Sequence, residues 1–224
     1  GDAGGGEILI GGNFQGNGVE QNAFRTFVGS NVSITADAVS QGDGGRTIVW
    51  ADDTTRFYGS ITSRGGAAGG DGGFTEVSGK QYLAFDPAGI DLSAVAGASG
   101  TLLLDPLNIT VDNGSADTIA ALPGGAAELL FAGGVGTENV RATTLIAGNA
   151  SVVLQATQDI TITSALVLTN AGDTITMNAG RSITVNANVG TNNGAISLTA
   201  NHDAGFTNAE RGAGAGGIAM NGGT

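Results

Sequence analysis

The chain has no cysteine, three prolines, one histidine (His202) and one lysine (Lys80) among its 224 residues. Without cysteine there is no disulfide scaffold and no thiolate metal site. A single histidine excludes a His-rich zinc or copper centre and most histidine-based catalysis. Lys and Arg together number 8 against 20 Asp and Glu, a formal net charge of −12. Eight dispersed cations make a poor nucleic-acid surface, because phosphate affinity needs clustered Lys and Arg. No apolar run approaches the roughly 18 residues of a membrane helix. Scarce proline, and glycine without a three-residue period, exclude collagen.

What is present is glycine, 41 residues of it, beside 41% hydrophobic residues and a mean hydropathy of +0.14. Disordered chains are typically less hydrophobic and richer in Pro, Lys and Glu. The apolar residues fall in short β-branched clusters, which predicts many short strands joined by glycine turns.

One signature recurs, a Gly-rich turn followed at once by an apolar strand. It appears as Gly4-Gly5-Gly6-Glu7-Ile8-Leu9-Ile10, then as Gly42-Asp43-Gly44-Gly45-Arg46-Thr47-Ile48-Val49-Trp50. It returns as Gly70-Asp71-Gly72-Gly73-Phe74-Thr75-Glu76-Val77 and as Gly97-Ala98-Ser99-Gly100-Thr101-Leu102-Leu103-Leu104. Aligned on the last glycine, Ile8/Ile10, Thr47/Val49, Thr75/Val77 and Leu102/Leu104 share one face. Leu9, Ile48, Glu76 and Leu103 share the other, and a position that holds Glu76 is expected to face out.

Nearer the C-terminus the repeat tightens. Val152, Leu154 and Ala156 return as Ile175, Met177 and Ala179, and then as Ile196, Leu198 and Ala200. Ile160 and Ile162 return as Ile183 and Val185, and Ile218 with Met220 reads as the next copy after Ile196 and Leu198. A register-preserving repeat of about 22 to 28 residues points to a solenoid, in which each position meets its own equivalent one turn on. The expected fold is all-β, a parallel β-helix with three strands per coil, forming one domain over 1–224. Loop excursions are expected near 11–30, 112–144 and 201–217. The second of these holds the helix-like stretches 116–122 and 126–131.

The runs Gly42–Asp52, Arg56-Phe57-Tyr58-Gly59-Ser60-Ile61, Gly70–Lys80 and Gly100-Thr101-Leu102-Leu103-Leu104-Asp105-Pro106 carry a family resemblance. With Leu145–Ala156 and Asp159-Ile160-Thr161-Ile162, they resemble the large exported adhesins of the filamentous haemagglutinin type, exoproteins of bacterial two-partner secretion. The resemblance covers most of the chain outside the excursions. It implies a right-handed parallel β-helix, export through an outer-membrane partner pore and a role in adhesion. It also implies that this chain is an interior segment of a longer one, or a released subunit. The absence of an initiating Met and of a visible signal peptide fits that expectation.

Several residues invite a chemical reading. Some β-helices are polysaccharide lyases or hydrolases that use Asp, Arg or Lys clustered on one outer face. Asp2 and the pair Asp52-Asp53 are the acidic candidates, and Arg56, Arg64 and Lys80 are cations that would have to join Asp52 and Glu76 on one face. As Asp52-Asp53-Thr54-Thr55 reads as a corner, no catalytic residue is assigned. Gly69–Phe74 approaches the calcium nonapeptide repeat but lacks its aspartate, so neither metal nor cofactor is assigned. His202 has no second His or Cys beside it and reads as a loop residue. Trp50, at the outward position shared with Gly11, Ser78 and Asp105, is the candidate exposed contact residue, unless an excursion covers it.

The expectation is therefore a non-enzymatic structural and adhesive module, extracellular or at the bacterial cell surface. Its partners would be other copies stacking end to end into filaments or the rest of a longer chain. An outer-membrane pore would serve during export, and a glycan or protein receptor at the destination. No nucleic acid and no membrane span is expected. The alternative is a β-helical carbohydrate-active enzyme, a lyase or hydrolase, which convergent carboxylates and a cation in a groove would favour.

Overall fold

The computed structural model describes residues 1–114, 138–203 and 207–222. The chain runs through three strands, β1 (Glu7–Ile10), β2 (Arg25–Val28) and β3 (Ser33–Thr35), and then repeats the sequence of sheets. β4 (Arg46–Ala51) pairs with β1, β5 (Thr54–Phe57) with β2, and β6 (Ser60–Thr62) with β3. β7 (Phe74–Gly79), β8 (Tyr82–Phe85) and β9 (Gly89–Asp91) add a third strand to each sheet in the same order. β10 (Gly100–Leu104), β11 (Ile109–Asp112), β12 (Glu138–Arg141) and a short helix α1 (Ala142–Ala147) follow. Three further sets complete the described residues. They are β13 (Ala150–Ala156), β14 (Ile160–Ile162) and β15 (Leu166–Ala171); β16 (Ile175–Ala179), β17 (Ile183–Val185) and β18 (Val189–Asn192); and β19 (Ile196–Ala200) with β20 (Ile218–Met220).

The protein is all-β, built from parallel sheets. The largest has seven strands in the order β1-β4-β7-β10-β13-β16-β19, and a second has the order β12-β11-β14-β17-β20. Every ladder between named strands is parallel, and its register is the one the sequence repeat predicts. Val49 pairs with Val77, Val77 with Leu104, Leu104 with Leu154, Leu154 with Met177 and Met177 with Leu198. This row and its neighbour through Leu102, Val152 and Ile175 face a single continuous apolar core. Phe57 and Phe85 stack in the same core, ring centroids 6.1 Å apart.

The corner glycines are selected by close approach. A Cβ on Gly73 would lie 2.0 Å from the Gly45 carbonyl oxygen, and one on Gly100 would lie 2.1 Å from that of Gly73. Those oxygens cannot retreat, since they accept ladder hydrogen bonds from the Phe74 and Thr101 amides (3.1 and 2.9 Å). The aspartate of the Gly-Asp-Gly-Gly corner is a link of the same kind. Asp43 Oδ1 accepts the Asp71 amide and Asp71 Oδ1 accepts the Ala98 amide, both at 2.8 Å.

Three sequence expectations change. The first excursion is shorter than 11–30, because Arg25–Val28 is β2 and pairs with β5. Ile218–Met220 pairs with Ile183–Val185 in the five-stranded sheet, so it belongs to the second strand series and is not a copy of Ile196–Leu198. The stretch 201–217 intervenes between these two series, and its described residues form no strand. The second excursion returns to strand at Glu138–Arg141, and α1 then extends beyond 144 to Ala147. The expected helices at 116–122 and 126–131 lie outside the described residues.

Gly73→Ala is expected to destabilise the protein by about 2–3 kcal/mol, as an overpacked core position does. Gly89→Ala meets no atom within 4 Å, and should change stability by less than about 0.5 kcal/mol. Urea unfolding midpoints of the two variants check the contrast.

Candidate functional site

The outer face of β4, β7 and β10 alternates against the core, as a strand must, yet it is not bare. Ile48 and Glu76 are fully buried and Leu103 nearly so. The cover is the excursion that leaves β1 and carries a one-turn 3-10 helix at Phe14–Gly16. Phe14 meets the Phe74 ring edge-on at 5.8 Å, and Arg46 lies over the Phe14 ring. Gln15 holds a left-handed backbone conformation, φ 53°, which is costly for a residue with a Cβ. That conformation aims its amide at Glu76, donating to both carboxyl oxygens at 3.2–3.3 Å.

Trp50 is correspondingly buried, 4% exposed, and is not the exposed contact residue expected from alternation. Its indole lies against Gly12 and Gly16, whose positions have no room for a Cβ. Its Nε1 donates to Asp52 Oδ1 at 3.0 Å, and Asn22 Nδ2 donates to the same oxygen at 3.0 Å. The pair Asp52-Asp53 is thereby split. Asp52 faces this cover, and Asp53 accepts from Arg25 at 2.7 Å.

Beside the cover lies an open cavity of about 610 Å³. It is lined by the excursion (Gln15, Gly16, Asn17, Asn22), by the outward row of the seven-stranded sheet (Trp50, Asp105, Gln155), and by Asp52, Lys80, Gln81, Thr157 and Glu210. Lys80 reaches Glu210 at 3.7 Å across it. Asp105 is 7% exposed and accepts from Gln155 Nε2 at 2.9 Å. Burial pushes the Asp105 carboxyl up to about 8, with the nearby Glu76 charge adding to the shift. Burial likewise raises Glu76 to about 7, against the Gln15 amide, which favours its charged form. Asp105 is therefore mostly protonated at neutral pH and Glu76 about half so, and the protonated forms can donate hydrogen bonds, as an ionised carboxylate cannot.

Of the residues singled out in the sequence, the structure gathers Trp50, Asp52 and Lys80 on this cavity, with Glu76 beside them under the Gln15 turn. It separates the others. Arg56 is buried over the Tyr82 ring, and Arg64 pairs with Asp37 at 2.6 Å. Asp2 accepts from Ser40, and His202 donates its amide to Ala179. Asp105, Gln155 and Gln15 were missed as site residues. The register could have found the first two, since Asp105 and Gln155 continue the Trp50–Ser78 row. Gln15 had no such signal, because it lies in an excursion outside the repeat. Among the described residues no group of three or more His, Asp or Glu is placed to hold a metal ion. No protein-family model matches the chain, and no curated protein matches it.

Raised carboxyl pKa values fix the sign of a pH dependence. The folded state holds protons on Glu76 and Asp105 that the unfolded chain releases above about pH 4 to 4.5. Their contribution to stability is fully present below that value and is lost as pH rises through about 7 for Glu76 and about 8 for Asp105. Glu76→Gln and Asp105→Asn keep an acceptor for Gln15 and Gln155 but cannot ionise. Each should flatten the decline in urea midpoint between pH 5 and pH 8, and each should exceed the parent protein at pH 8. A second expectation concerns the cover. Gly16→Val should push the excursion off the indole and shift the emission of Trp50, the only tryptophan, to longer wavelength.

Proposed function

We propose that this chain is a segment of a right-handed parallel β-helix with three strands per coil, serving as a structural and adhesive module of a secreted or cell-surface bacterial protein. The observation that carries this reading is the return of the chain, set after set, to the same sheets in a register that pairs each position with its equivalent. The likeness of the Gly-Asp-Gly-Gly and Leu-Leu-Leu-Asp-Pro runs to filamentous haemagglutinin-type adhesins supports the adhesive role and export through an outer-membrane pore. Such a module works mechanically, as a stiff ladder that presents loops and flat faces. Its acidic surface opposes non-specific association.

The edge strands supply a route to assembly. Within the described residues, β1 and β19 end the seven-stranded sheet, and each has one edge without a strand partner. An open strand edge is a template for another strand. A neighbouring segment of a longer chain, or a second copy, adds there in parallel. Particles larger than the 21.8 kDa chain are expected by light scattering across a concentration series, and rods or filaments by electron microscopy. A monodisperse monomer at every concentration would remove end-to-end stacking from the reading.

A second reading, a carbohydrate-active enzyme, is favoured by one observation: Asp52, Asp105, Glu210 and Lys80 line a single cavity. Turnover on a panel of polysaccharides decides between the two. The adhesive reading expects none, and release of reducing ends or unsaturated products would replace it with the enzyme.

A further inference from the structure

We propose that the cavity between the Gln15 excursion and the outward row of Trp50, Asp105 and Gln155 is a binding site for a neutral oligosaccharide. The proposal deepens the adhesive reading and rests on it, because it gives the module a specific receptor chemistry.

The lining selects the ligand class. Five carboxamide residues, Gln15, Asn17, Asn22, Gln81 and Gln155, line the cavity, together with Thr157. Carboxamides and hydroxyls both donate and accept, which matches sugar hydroxyls that do the same. A lipid or an apolar peptide needs a predominantly hydrophobic lining, and here Trp50 is the single large apolar side chain, turned largely into the cover.

Charge narrows the choice. Asp52, Asp105 and Glu210 face one cation, Lys80, which is already within 3.7 Å of Glu210. Phosphate, sulfate and uronate recognition relies on Arg or Lys forks and point charges. This lining offers such polyanions a single cation, already engaged by Glu210. The volume, about 610 Å³, lies inside the range of roughly 300–1,000 Å³ found for ligand sites.

The site is also built in advance. Asp105, nine-tenths buried, is fixed by the Gln155 amide where it lines the cavity. Asn22 is held by its Nδ2 bonds to the Gly16 carbonyl and Asp52. Trp50 closes one wall. With 4% exposure it offers no open ring face for stacking, so recognition here is by hydrogen bonds.

The test uses the whole chain with cello-, malto-, manno-, galacto- and chito-tetraose. Binding is read by calorimetry and by Trp50 emission, with a tetragalacturonate and a sulfated tetrasaccharide as charged comparisons. At least one neutral tetraose should bind saturably, and the charged ones should bind at least 10-fold more weakly. Asn17 and Gln81 are exposed, so the double variant Asn17→Ala/Gln81→Ala should fold normally by circular dichroism. It should lose at least 10-fold in affinity. Asp105→Asn is a second probe that retains an acceptor and adds a donor, and it should bind at pH 9 as it does at pH 7, while the parent protein weakens. No saturable binding by any neutral tetraose overturns the proposal, as does binding that the double variant leaves unchanged, or a preference for the charged sugars. Those failures leave rod formation and the adhesive reading standing. Cleavage of a bound neutral tetraose upholds the site and overturns the non-enzymatic reading instead.

Discussion

The parallel ladder governs this protein. Strands that pair in parallel at about 4.8 Å bring equivalent positions of successive sets into contact. Each residue is therefore chosen against the one before it and the one after it. Apolar rows satisfy the constraint by stacking Val, Leu, Ile and Met. Corners satisfy it by removing side chains, because the Gly73 Cα approaches the Gly45 carbonyl too closely for a methyl group. Charges satisfy it by alternating in sign. Arg25 pairs with Asp53, Asp37 with Arg64 and Asp159 with Arg181, at separations of 28, 27 and 22 residues. Each such separation is one repeat. Partly exposed pairs of this kind contribute at most about 1 kcal/mol each, yet they replace a like-charge stack that would oppose the register.

The same constraint isolates Glu76. Its partners in the ladder are Ile48 and Leu103, so no like charge stacks directly on it. The excursion then covers it, and the Gln15 amide supplies its polar contact. Asp105 occupies the next outward row, beneath the cavity and beside Gln155. Burying two acids near each other raises both carboxyls into the neutral range, which is unfavourable for stability in alkali. Perturbed carboxyls gather at sites that bind or react, and here they lie beside an open, largely polar cavity. The scaffold and the site are thus made by different parts of the chain. The ladder fixes the floor, and the non-repeating excursion makes the wall.

The ladder was legible in the sequence because its physical cause is local and periodic. Val49, Val77 and Leu104 share a row in the sequence alignment and share it in the sheet. The limits of the excursions were less legible. Arg25-Thr26-Phe27-Val28 has no glycine corner before it, so the repeat did not mark it as a strand, and only pairing with Thr54–Phe57 makes it one. Ile218–Met220 was assigned to the wrong row, because an apolar-small-apolar triplet fits either strand series and spacing alone chose the nearer. Trp50 faced outward as alternation requires, but alternation reports direction and not what lies opposite.

The sequence by itself determined the all-β class, the parallel register and the glycine corners, since backbone sterics and period-two alternation act residue by residue. It also determined that no disulfide or histidine cluster takes part. Only the tertiary structure decided that residues 11–24 fold back over Ile48, Trp50 and Glu76, and that Asp105, Gln155 and Lys80 meet on one cavity. Those contacts join a segment without a repeat to faces of several strands. No periodicity encodes such a meeting, because it depends on shape and burial in three dimensions.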